Sequence, residues 1–133
     1  MDLANGFNQL AMDEEDRHKT AFTIPFGIFE YNRMPMGLTN SPATFQRLTQ
    51  TCFNDYIFQI LLVYLDDIIV FSNTFHEHIE RLDKVFTKLQ EHGLKLKSEK
   101  CHFLQRKVTY IGHQISSDGI TTDPDKTQAV SEW

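Results

Sequence analysis

"VYLDDIIVFS", residues 63–72, decides how this chain is read. Two adjacent carboxylates, Asp66 and Asp67, stand between two apolar runs rich in β-branched and aromatic residues. Short apolar arms around a polar break predict a β-hairpin with both arms largely buried. Asp is a common turn residue, so the pair has a plain structural reading. A two-residue hairpin turn, however, favours Asn-Gly or Asp-Gly, because both positions take positive φ, and Asp-Asp without a glycine tolerates that poorly. Adjacent carboxylates also repel, and apolar walls make each costlier to ionise. A divalent cation removes both penalties; Mg²⁺ takes oxygen ligands, typically one or two carboxylates plus substrate phosphates. Neighbouring strand side chains point to opposite faces, so a further acid must come from elsewhere in the chain. Spacing leaves Asp2, Asp13, Asp16, Asp118 and Asp123 open.

Outward from the hairpin, the pattern is strands, helix, hairpin, helix, strands. Upstream, "FNQLAM" alternates weakly, "DEED" reads as a polar turn, and "TAFTIPFG" as a β-prone run ending at Pro25 and Gly27. A helix is predicted from Ser41 as N-cap with Pro42 at its first position, followed at helical spacing by Phe45, Leu48, Cys52 and Tyr56 as core. Downstream, Thr74 and Glu77 form a capping box. Ile79, Leu82, Val85, Phe86 and Leu89 then make one apolar stripe, and Gly93 suits the position just past the helix end. "KVTYIGHQIS" reads as a strand with a glycine inside it, "SDG" as a turn, and Asp123-Pro124 as a helix start. The fold class is α+β, an antiparallel sheet with helices packed on one face.

The 133 residues suffice for one domain with a modest core. No apolar stretch is long enough for a transmembrane helix, and the start lacks the basic and apolar regions of a signal peptide, so an intracellular, non-membrane setting is expected. Cys52 and Cys101 lie far apart and read as reduced thiols. No His or Cys spacing matches a structural zinc site. The net charge of −5 argues on its face against nucleic-acid binding. Its distribution softens that: residues 84–107 carry seven bases against Glu91 and Glu99, either a solvated face or a phosphate-facing strip.

The residues now on the page resemble reverse transcriptases. "YLDD" in a hairpin is similar to that family's catalytic box, and other blocks follow in the family's order. "MDLANGFNQL" resembles the first catalytic block, and "TAFTIPFGIFEYNRMPMGLTNSPATFQR" the fingers-to-palm block. "HGLKLKSEKCHF" resembles the lysine-bearing loop, "YIGHQIS" the primer grip, and "DGITTDPDKTQAVSEW" the lead-in to the next domain. The wording is nearest to gypsy-type LTR retrotransposon polyproteins. The resemblance implies a palm with part of the fingers over residues 1–133, with the following thumb or connection region starting at 123–133. It implies Asp2 as the third carboxylate, metal ligands in Asp2, Asp66 and Asp67, and a further one in the Leu3 backbone carbonyl. The two ions would be Mg²⁺, or Mn²⁺. It places Phe7 beneath the sugar as a gate against the 2′-hydroxyl, Met36 and Gly37 at the incoming nucleotide and template, and Lys100 at the pyrophosphate. Tyr110, Ile111 and Gly112 would hold the primer terminus. Retroviral relatives often carry Gln where this chain has Met36, which cannot donate a hydrogen bond.

The implied activity is RNA-directed DNA polymerisation from dNTP onto a primer 3′-OH, on an RNA or DNA template. The implied partners are the other polyprotein regions (fingers, thumb, connection and ribonuclease H), and the implied location is a cytoplasmic virus-like particle. Both ends read as truncated, so the chain by itself is expected to polymerise poorly. Two alternatives stand beside this: an inactive relic or domesticated module that keeps the fold as a binding domain, and a carboxylate nuclease. Phe7 and the primer-grip segment fit the nuclease poorly.

Overall fold

A computed structural model describes residues 1–122. The helix start expected at Asp123-Pro124 and the region expected at 123–133 lie outside the described residues. In chain order the elements are β1 (Phe22–Ile24), β2 (Gly27–Phe29), α1 (Ser41–Phe53), β3 (Leu61–Tyr64), β4 (Asp67–Val70), α2 (Phe75–Glu91), β5 (Lys107–Tyr110), β6 (His113–Ser116) and β7 (Gly119–Thr122). Short 3₁₀ turns occupy Gly6–Gln9, Glu14–Thr20 and Ser98–Lys100. The fold is α+β with antiparallel pairing, as the sequence implied.

The central hairpin differs from expectation by one residue. Tyr64 pairs with Asp67, so the two loop residues are Leu65 and Asp66, and Asp67 already belongs to β4. Among these residues only Leu65 has positive φ, +53°. Positive φ at the first loop position alone is the demand of a type II′ turn, so the two aspartates avoid the left-handed conformation altogether.

The amino-terminal segment adds to this hairpin along β4. Asp2 pairs with Asp67, and Leu3 pairs on its other side with Leu96, both antiparallel. The Met1 N donates to the Ile68 carbonyl and the Ile68 N–H to the Met1 carbonyl, each at 2.8 Å. The Leu3 N–H reaches the Asp66 carbonyl at 3.0 Å, and the Lys97 N–H reaches the Asp2 carbonyl at 2.9 Å. Asp2 is therefore held between β4 and the segment that follows α2.

Both helices pack on this sheet, α1 against β3 and α2 against β4, and they touch each other. Leu3, Phe45, Phe53, Leu61, Ile68 and Val85 are fully buried at the junction. The N-cap position of helix α1 falls on Asn40, which makes no side-chain capping bond, rather than on Ser41; Pro42 thus lies one position further in, and the Ser41 hydroxyl donates to the Pro35 carbonyl at 3.2 Å. Tyr56 lies beyond the helix end.

Helix α2 starts as expected, with the Glu77 N–H on Thr74 Oγ1 at 3.2 Å. It closes with a Schellman motif: the Gly93 N–H bonds the Gln90 carbonyl and the Leu94 N–H the Leu89 carbonyl, at 3.1 and 2.8 Å. Of the apolar stripe, Leu82, Val85 and Leu89 are buried, while Ile79 and Phe86 are exposed.

Two further readings are corrected. The first half of "FNQLAM" is a 3₁₀ turn while its second half pairs antiparallel through Ala11 and Arg33, and "DEED" opens another turn, with the Asp13 carboxylate accepting the Glu15 N–H at 3.0 Å. "KVTYIGHQIS" is a hairpin rather than one strand: Tyr110 pairs with His113 across a loop of Ile111 and Gly112. Both loop residues have positive φ, +50° and +72°, as a type I′ turn requires.

Candidate active site

The site is built from the strand pairing just described. An antiparallel bridge sets Asp2 and Asp67 side by side on neighbouring strands. Asp66 adjoins them on the loop, its carbonyl tied to the Leu3 N–H. The three acids share one electrostatic field. Partial burial raises the Asp67 pKa above the ordinary aspartate range, and the charges of Asp66 and Asp2 raise it further. Lys100, carried by the Ser98–Lys100 turn, places its Nζ 3.2 Å from Asp2 Oδ2. That lysine is more than half exposed, so the pair contributes little to stability, but it puts a positive charge at the edge of the carboxylates.

Beneath the loop, Gly6 is packed so closely that an added Cβ would lie 2.8 Å from the Phe45 ring and 3.3 Å from Asp66 Cβ. Phe7 follows immediately and meets Phe45 edge to face at a centroid distance of 5.4 Å. Phe7 is half-buried, so part of its surface remains accessible beside the carboxylate loop. Gln9 closes this segment onto the sheet: its Nε2 donates to the Ala4 and Lys95 carbonyls at 2.6 and 3.0 Å, and its Oε1 accepts the Lys95 N–H at 2.7 Å.

Asp2, Asp67, Lys100 and Tyr110 line one cleft of about 1060 Å³ that continues along β4 towards β5. Burial pushes the Tyr110 phenol up to about 12, with the Asp67 charge adding to it. Ile111 and Gly112 form the hairpin tip beyond Tyr110. Met36 and Gly37 stand apart from this cleft, on the loop between β2 and α1; Met36 is 79% exposed and Gly37 has φ +97° with open space around it. The sequence-predicted residues thus fall into a carboxylate group with Lys100 and Tyr110, a Phe7 group beneath the loop, and a separate Met36–Gly37 loop.

Asp2 and Asp67 line the cleft, Asp66 lies on the adjoining loop, and carboxylate oxygens are the ligand chemistry of a hard divalent cation. The upward shift of Asp67 comes first from burial and then from the neighbouring charges of Asp66 and Asp2, and a bound cation would offset both. Among the described residues, no three His, Cys, Asp or Glu side chains form a ready-made metal cage. Sequence reasoning read Gly6 only as part of the first catalytic block, and it missed Gln9 and Gln46, the latter accepting the Leu65 N–H at 2.7 Å, because their contacts are with residues distant in the chain.

Comparison with known proteins gives the family. Residues 1–115 match the family model described as reverse transcriptase (RNA-dependent DNA polymerase). The chain is 47% identical over 133 residues to the retrovirus-related Pol polyprotein from transposon 297 of Drosophila melanogaster, covering all of this chain and 13% of that protein. It is 35% identical to the corresponding polyprotein from transposon gypsy of the same organism, again over 100% of this chain and 13% of that one. The Tf2-3 transposon polyprotein of Schizosaccharomyces pombe is 33% identical over 100% of this chain and 10% of its own length. Among solved structures, the foamy viral protease-reverse transcriptase in complex with RNA/DNA hybrid superposes with a TM-score of 0.88 at 30% identity, over 98% of this chain and 18% of that one. The same protein in complex with dsDNA gives 0.89 at 29%, over 100% and 28%. The chain spans 10–13% of the length of these polyprotein relatives. Members of this family generally use divalent metal ions, consistent with an all-oxygen donor set. By sequence and by fold, the chain belongs to the reverse transcriptase family, in the line of retrotransposon Pol polyproteins.

Proposed function

We propose that this chain carries the catalytic palm, with part of the fingers, of an RNA-directed DNA polymerase that transfers a nucleotide from dNTP to a primer 3′-OH. The observation that carries the proposal is the pairing of Asp2 with Asp67, with Asp66 on the adjoining loop. Asp2, Asp66, Asp67 and the Leu3 carbonyl are the groups that would hold two Mg²⁺ ions, or Mn²⁺ in their place. Bound there, the ions would lower the pKa of the primer hydroxyl and neutralise charge on the leaving pyrophosphate. The rest falls to the chain's own residues. The loop and the strand fix the acids relative to one another, so no reorganisation is needed as charge develops. Lys100 brings a mobile ammonium to the same edge, suited to leaving phosphate oxygens. Phe7, packed edge to face on Phe45, would present its ring to the sugar of the incoming nucleotide and leave no space for a ribose 2′-hydroxyl. Tyr110, Ile111 and Gly112 would seat the primer end, and Met36 with Gly37 would pack against nucleotide and template through apolar and backbone contact.

The partners on this reading are a primed RNA or DNA template, dNTP and the remaining polyprotein regions, inside a cytoplasmic virus-like particle. The 133 residues alone would extend primers poorly, so the test uses the chain together with its flanking polyprotein sequence. On a primed RNA template that protein should extend the primer, and Asp66→Asn should lower the rate on the order of 10³-fold, as for loss of a principal electrostatic stabiliser. Absence of extension by the wild-type protein would favour an inactive relic that keeps the fold. In the active protein, Phe7→Ala should raise ribonucleotide incorporation; unchanged discrimination would refute the gate.

A further inference from the structure

The Leu65–Asp66 loop is held by a side chain from outside the hairpin. Gln46, on α1 next to the fully buried Phe45, directs its Oε1 to the Leu65 N–H at 2.7 Å. A backbone N–H can bond only the oxygen end of an amide, so this contact fixes the orientation of the Gln46 side chain. Leu65 carries the loop's positive φ, +53°, a conformation that a non-glycine residue rarely adopts. Such strain persists only where the surroundings over-determine it. Here they do so from two directions. Gln46 grips the peptide N–H on one side of Leu65, and the Leu3 N–H grips the Asp66 carbonyl at 3.0 Å on the other. The first contact links the loop to α1, and the second links it to the strand that bears Asp2.

We infer that Gln46 is a positioning residue for Asp66. Its amide holds the strained loop so that the Asp66 carboxylate keeps a fixed relation to Asp2 and Asp67. The inference rests on the polymerase reading for its catalytic consequence and on the hydrogen bond for its structural one. Those two parts are tested separately.

The structural arm is amide hydrogen exchange at residues 64–67 of the folded chain. Gln46→Met keeps length and packing but has no comparable acceptor. It should speed exchange of the Leu65 amide at least ~10-fold, the scale set by loss of one hydrogen bond. Gln46→Glu retains an acceptor oxygen and should return the rate to within ~3-fold of wild type. Equal Leu65 exchange in wild type and Gln46→Met would overturn the brace. The catalytic arm uses the polymerase-competent protein with saturating primer–template. Gln46→Met should lower kcat by about 10-fold and raise the Mg²⁺ concentration for half-maximal rate, with KM for dNTP changed less. Gln46→Glu should recover most of kcat. A Gln46→Met enzyme with wild-type kcat and Mg²⁺ dependence, or a Gln46→Glu enzyme no better than Gln46→Met, would overturn the positioning role. If the wild-type protein extends no primer while Leu65 exchange responds as expected, the polymerase reading fails and the brace stands.

Discussion

The two hairpins β3–β4 and β5–β6 use the same device to different ends. Each turns on two residues, and each puts a bulky aliphatic residue at positive φ in the first loop position, Leu65 at +53° and Ile111 at +50°. The β3–β4 loop is half-buried and gripped by Gln46, Leu3 and the close approach of Gly6. The β5–β6 loop ends in Ile111, 48% exposed, and relies on Gly112 at +72° to close the turn. An Ile at positive φ is an outlier that a chain tolerates where something repays it. In the first hairpin the repayment is internal packing around the carboxylates. In the second, Gly112 at the other loop position supplies the second positive φ that a type I′ turn needs.

The sharpest way to break this contrast is Gly6→Ala. A Cβ at 2.8 Å from the buried Phe45 ring and 3.3 Å from Asp66 Cβ has no flexible group to displace. We expect a destabilisation of about 1–3 kcal/mol, typical of overpacking, read as a fall in the urea midpoint. A wild-type midpoint would mean that the loop is not seated on Gly6. A smaller effect is expected at the other hairpin. Gly112→Ala should cost roughly 1 kcal/mol, the left-handed penalty for a residue with a Cβ at φ +72°. A loss as large as that at Gly6 would erase the distinction between a braced loop and a free one.

The smallest effect concerns charge. Because burial and the neighbouring acids raise the Asp67 pKa, the folded state holds its proton more tightly than the unfolded chain does. Stability from this group is therefore lost as pH rises through and above the ordinary aspartate range. Asp67→Asn should melt slightly higher than wild type at neutral pH, and the gain should vanish in acid. Added Mg²⁺ should narrow the neutral-pH gap by stabilising the wild type. A gain that grows on acidification would contradict the sign.

Much of this was legible in the sequence where the signal was local. The apolar arms around "LDD" gave the hairpin, and Thr74 with Glu77 gave the start of α2. The family blocks gave Asp2 as a partner that spacing alone left open among five acids. Non-local features were not legible. The loop falls on Leu65–Asp66 because β4 must offer Asp67 to Asp2, a constraint set by a strand more than sixty residues away. Gln46 looks like any polar residue on a helix, and Gln9 like one end of a weak strand. Their value comes from backbone groups that only the fold brings near. "YIGHQIS" misled because a glycine in an apolar run fits a bulge as well as a turn. Ile at the preceding position argues against a turn on propensity alone.

The central claim is that Asp2 and Asp66, far apart in the chain, act as one unit. The most direct measurement is a double-mutant cycle on primer extension by the polymerase-competent protein, with Asp2→Asn, Asp66→Asn and both together. If they serve one site, the double variant loses little more than either single variant, and the residual rate no longer rises with Mg²⁺. If the two losses multiply, the acids act independently, and the shared site described here is wrong.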